Sequence, residues 1–120
     1  MSWDVYCAVL PARWHARDGA VFSANGGGQL GISYEAPNGA ALVLNEGAYC
    51  LTGAASCAPH DDLIGPAAFG DLVGTLYAYQ GGFALYVRPG TSRAYSLTGS
   101  GVSEATFRSI ALALYKVPSH

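Results

Sequence analysis

Two alternating runs on either side of a tight glycine turn constrain this chain more than any other feature. Leu72–Tyr79 and Phe83–Arg88 are rich in Leu, Val, Tyr and Phe, and they flank Gln80-Gly81-Gly82. Strand-forming residues around a Gly-Gly step signal a β-hairpin, because glycine takes the positive φ that a two-residue turn needs. A turn on Gly81-Gly82 predicts Gln80 opposite Phe83, Tyr79 opposite Ala84 and Tyr77 opposite Tyr86. Leu76 and Ala78 then share a face with Leu85 and Val87, so the pairing also sorts apolar residues from tyrosines. Pro89-Gly90-Thr91-Ser92 turns the chain again, into a strand over Arg93–Thr98. A two-residue Gly90-Thr91 turn predicts Tyr86 beside Tyr95.

The first half carries a weaker version of the same pattern. Trp3–Trp14 is apolar but broken by Pro11, which suits an extended lead-in or a short helical turn. Ala20–Ala24 reads as a strand and Asn25-Gly26-Gly27-Gly28 as a loop. Residues 29–35 alternate, with Leu30, Ile32 and Tyr34 on one face and Gly31, Ser33 and Glu35 on the other, as in a half-buried strand. Pro37-Asn38-Gly39 is a turn signal. Ala41–Asn45 is the returning strand, with Leu42 and Leu44 inward, and Glu46–Cys50 extends it. Residues 51–70 hold Gly, Ala, Ser and two prolines and read as the longest irregular stretch, with room for one helical turn.

A helix closes the chain over residues 103–116. Ser103 is an N-cap and Glu104 sits at the positive end of the helix dipole. Val102 and Phe107 occupy the two positions of a hydrophobic staple. Phe107, Ile110, Ala111 and Leu114 recur at helical spacing, so that face packs on the sheet, and Pro118 ends the element. The expected fold is α+β: residues 1–120 form a single domain with a curved antiparallel β-sheet or half-barrel of about six strands. One C-terminal helix packs on it.

Composition narrows the partners. The chain is 51% hydrophobic and 12% charged, far below the usual charged share of about 25%. Its Lys and Arg residues are scattered singly and its formal net charge is −2, which excludes nucleic acid as an expected partner. No apolar run approaches the ~20 residues of a membrane span. The N-terminus lacks the charged and apolar regions of a signal peptide. That fits a cytoplasmic protein, or an extracytoplasmic domain taken without its leader or anchor.

Cys50 and Cys57 flank a short turn-rich segment, and a disulfide between them would contribute about 2 kcal/mol through loop entropy. Two free thiols, or a bridge from Cys7 to either, are the alternatives, since spacing does not fix connectivity. A Cys50–Cys57 bridge would imply an oxidising compartment, with Cys7 left as a small buried apolar residue.

No catalytic residue, metal ligand set or cofactor is expected. His60-Asp61-Asp62 beside Cys57 offers ligand types, but defined metal chemistry needs three or four converging groups, so a solvated polar loop is the simpler account. Neither a Gly-x-Ser-x-Gly nor a His-Glu-x-x-His pattern occurs, and Asn25–Gly28 lacks the Lys-Ser/Thr of a phosphate-binding loop. The tyrosines are more informative. In the registers above, Tyr77, Tyr79, Tyr86 and Tyr95 share one face, where broad apolar rings with hydroxyl handles suit ligand binding. The competing account packs that face against the first half.

Several segments together resemble a pattern from bacterial cell-envelope proteins. They are Leu10–Trp14, Leu30–Tyr34, Asn45–Cys50, Ala68–Tyr77 and Tyr95–Gly99 followed by the Ser-capped helix. The pattern is similar to extracytoplasmic domains of lipoproteins and anti-sigma-factor-like membrane proteins, loosely like lipoprotein carriers. The resemblance implies a curved antiparallel sheet flanked by a helix and an extracytoplasmic location. It carries over no functional residue. The expected function is a non-catalytic envelope sensor or ligand-binding module, with an apolar small molecule or an envelope protein as partner. A structural or protein-interaction domain is the alternative, and an enzyme the weaker one.

Overall fold

Alternation in the sequence becomes a single dominant sheet. The computed structural model describes residues 6–7, 14–22, 29–47, 61–88 and 94–116. Among these residues, seven antiparallel strands form the sheet: β2 (His15–Phe22), β3 (Gln29–Glu35), β4 (Ala41–Gly47), β5 (Leu63–Phe69), β6 (Leu72–Tyr79), β7 (Gly82–Val87) and β8 (Ala94–Ser100). A two-residue strand near each end of the chain, β1 (Tyr6–Cys7) and β9 (Tyr115–Lys116), forms a separate small ladder. The helix, α1, spans Glu104–Leu112. The α+β class and the curved antiparallel sheet with its C-terminal helix therefore stand, with seven strands in the sheet.

Strand order in the sheet is β2-β3-β4-β8-β7-β6-β5. Two meanders, β2-β3-β4 and β5-β6-β7-β8, thus meet along a central β4–β8 ladder. One face is the core. Leu42 and Leu44 of β4, Leu97 of β8, Leu85 of β7, Leu76 of β6 and Phe69 of β5 are all fully buried there. The registers align them, with Leu44 opposite Leu97, Leu97 opposite Leu85, and Leu85 opposite Leu76.

The helix forms as its sequence demands. The Ser103 hydroxyl accepts the Thr106 N–H at 3.1 Å and satisfies one orphan donor of the first turn. Phe107, Ile110, Ala111 and Leu114 are buried, and Phe107 meets Phe83 with ring centroids 5.6 Å apart. Gly99 makes this seat possible, because a Cβ there would come within 2.9 Å of the Phe107 ring and 2.8 Å of Leu42. The helix stops at Leu112 rather than running to residue 116. Leu114 N–H donates to the Ala111 carbonyl three residues back, and the chain extends to pair Tyr115 with Cys7 and Lys116 with Tyr6.

Two further expectations are corrected. Residues 63–69, read as irregular, are edge strand β5. Its Gly65 has φ +148 and the register shifts between Leu63 and Gly65, so a bulge hides the alternation. The Ala20–Ala24 strand is also too short and too late, because β2 begins at His15. The cysteine pair Cys50 and Cys57, the Asn25–Gly28 loop and His60 lie outside the described residues.

Candidate functional site

The second-half hairpin turns on Gln80-Gly81, one residue earlier than the Gly81-Gly82 turn read from sequence. Gln80 (φ 48) and Gly81 (φ 78) both take positive φ, the requirement of a type I′ turn. Asp61 accepts the Gln80 N–H at 2.8 Å and donates its own N–H to the Ala78 carbonyl, so it braces the turn. Tyr77 therefore faces Ala84 and Thr75 faces Tyr86. The pairing slides by two places, and an even slide leaves every side chain on its expected face.

Tyr77, Tyr79 and Tyr86 accordingly share the face opposite the helix. The Tyr77 and Tyr86 ring centroids are 6.0 Å apart, and with Tyr79 they enclose Ala84 in a small satellite cluster. Tyr86 is the buried member at 4% exposed, and Tyr77 and Tyr79 are half-buried around it. Leu63, opposite Tyr77 in the ladder, and Val73 on the same face of β6 are 67% and 72% exposed. Beyond Tyr79 the face continues into a shallow groove of about 190 Å³. Tyr79, Gln80, Ala41, Val43, Thr98 and Ser100 are among its walls. Among the described residues that line it, the Tyr79 phenol is the one ionisable side chain.

Tyr95 does not belong to this face. The β7–β8 register puts Ser96, not Tyr95, opposite Tyr86, and pairs Tyr95 with Val87. An odd slip of one residue relative to a Gly90-Thr91 turn exchanges faces, and Arg88, at φ 49, marks where the strand departs from regular pairing. Tyr95 is 1% exposed on the core side, edge-on to Tyr6 at 5.3 Å and tilted against Phe69 at 5.2 Å. Arg88 lies over its ring at 5.6 Å.

That aromatic cluster surrounds a group not singled out from the sequence. Glu46 faces Tyr95 across the central ladder and is 0% exposed. Its Oε1 accepts the backbone N–H of Tyr6 at 2.6 Å, and its Oε2 has no partner among the described residues. Burial pushes its pKa up from 4.5 to about 8, opposed by the Tyr6 N–H. The parity of Leu42, Leu44 and Glu46 on one strand was the available signal for its inward direction.

Among the described residues, no three His, Cys, Asp or Glu side chains converge as metal ligands would, and no helix is long and apolar enough to cross a membrane. No protein-family model, curated protein or solved structure matches the chain.

Proposed function

We propose that this domain is a non-catalytic binding module that takes an apolar or amphipathic ligand on its tyrosine face. The observation that carries the reading is the clustering there of Tyr77 and Tyr79, half-buried over Tyr86, with exposed Leu63 and Val73 beside them. Rings of this kind give wide contact at low conformational cost, and a groove bordered by Thr98, Ser100 and Gln80 supplies neutral polar groups for an amphiphile's headgroup. Tyr86 acts from beneath, holding the Tyr77 ring in place.

The exposed Leu63 and Val73 also suit a protein partner. Strand pairing through the adjacent edge is disfavoured, however. Pro66 and the Gly65 bulge blunt β5, and the Pro66 carbonyl already accepts from Arg108 at 3.4 Å. The cell envelope is the proposed setting, supported by the Cys50–Cys57 spacing. Three free thiols in the denatured, unreduced protein would remove that support.

The test is titration with a dodecyl-chain amphiphile below its critical micelle concentration, followed by amide chemical shifts. Saturable shifts confined to β6, β7 and the Gln80 turn are expected. Tyr79→Ala should weaken binding about tenfold, or about 1–2 kcal/mol, with the urea midpoint little changed. Shifts scattered over the surface, or unaltered affinity in Tyr79→Ala, would reject the reading.

A further inference from the structure

We propose that Glu46 is a proton-operated latch: its neutral carboxyl holds β1 across the aromatic end of the core, and its ionisation lets β1 go. The geometry is specific. Among the described residues, β1 is Tyr6–Cys7 and its ladder to β9 has two residue pairs. Tyr6 meets the main sheet through its N–H on Glu46, its hydroxyl donating to Asp71, and its ring between Phe69 and Tyr95, among other contacts. The carboxyl is fully enclosed, and one of its oxygens meets no donor among the described residues. An ionised carboxylate in that position would be a buried charge holding a single hydrogen bond, which is costly.

Among the described residues, no hydrogen bond beyond that of the Tyr6 N–H reaches the carboxyl to offset such a charge. From β1 the facing group is Tyr6, and from β8 it is Tyr95, both aromatic rings. On β3 the cross-strand partner is Leu30. Among the described residues, Arg88 lies over the Tyr95 ring, Asp71 accepts the Tyr6 hydroxyl, and Lys116 is the register partner of Tyr6 on β9. Burial is the larger influence on Glu46, and the Tyr6 N–H is the opposing one. Once β1 swings away, water reaches the carboxyl and its ordinary acidity returns.

Proton linkage then sets the direction. Closing takes up one proton between the ordinary carboxylate pKa and the raised one, so the closed form is favoured at low pH and weakens as pH rises. Across pH 5 to 8 the equilibrium constant for opening should rise about tenfold per pH unit. Opening would uncover Phe69 and Tyr95, which changes the apolar surface the protein presents without unfolding the sheet.

The experiment is native-state amide exchange by NMR, corrected for intrinsic rates, at several pH values and low urea concentrations. The Tyr6 amide should lose protection about tenfold per pH unit from pH 5 to 8, with little dependence on urea. Leu97, in the central ladder, should stay better protected and show the full urea dependence of global unfolding. Glu46→Gln keeps an acceptor for the Tyr6 N–H and cannot ionise, so its Tyr6 protection should be flat with pH. A flat Tyr6 profile in the unaltered protein would overturn the proposal. So would an unchanged slope in Glu46→Gln, or a Tyr6 urea dependence equal to that of Leu97. Should Glu46→Gln not fold, the side-chain carboxyl carbon of Glu46 in the unaltered protein decides: titration near pH 8 supports the latch, and titration near 4.5 rejects it.

Discussion

Gln80 is a non-glycine residue at φ 48, beside Gly81 at φ 78. Glycine takes such a conformation without strain, whereas a side chain there costs about 1 kcal/mol. Gly81→Ala should therefore destabilise by about 1 kcal/mol in urea titrations. Gln80→Asn should be neutral or slightly stabilising, because Asn-Gly is the preferred type I′ pair. This turn also marks the limit of what residues alone disclose. Three consecutive residues, Gln80, Gly81 and Gly82, could each centre the hairpin. Only the close approach of Gly82 to the Gly99 carbonyl, where a Cβ would lie at 1.9 Å, explains why the second glycine sits in the strand. Glu46 was hidden for a related reason. Alternation points it inward, but nothing local announces that Tyr6, forty residues earlier, donates to it.

At the level of elements, the helix was the most legible, because capping and spacing are local properties. Ser103 caps it, Glu104 pairs with Arg108 at 2.9 Å, and the buried face is the one its spacing demanded. Its end was not legible, since pairing with β1 is a tertiary event that overrides propensity. Phe107→Ala should cost about 3–5 kcal/mol, read as a lower urea midpoint, because the ring fills the seat made by Gly99, Leu42 and Phe83. Ser103→Ala should cost only about 1 kcal/mol. Strand β5 escaped detection because its bulge breaks the two-residue period and its prolyl residue reads as a breaker. Of the four tyrosines expected on one face, Tyr77, Tyr79 and Tyr86 share it and Tyr95 does not, because the first hairpin differs from its expected register by an even step and the second by an odd one.

For the molecule as a whole, the raised acidity of Glu46 makes stability depend on pH. The unfolded chain releases this proton near pH 4.5, and the folded one holds it to about pH 8. The contribution is thus fully present below about pH 4.5 and is lost as pH rises through 8, at a rate of up to about 1.4 kcal/mol per pH unit. Urea midpoints taken at pH 5 and pH 7.5 should differ in the unaltered protein, and that difference should shrink in Glu46→Gln. The central β4–β8 ladder has a consequence of another kind. It joins strands about fifty residues apart in the chain, while every other ladder in the sheet links sequence neighbours. The two meanders can therefore zip up early, each from its own turns, and the rate-limiting event is closing the large loop between them. Refolding should fall in the millisecond-to-second range of β-rich domains. Leu44→Ala and Leu97→Ala, at the middle of that seam, should slow it, and Gly81→Ala should slow it too with little effect on unfolding, because its hairpin is already closed when the seam forms.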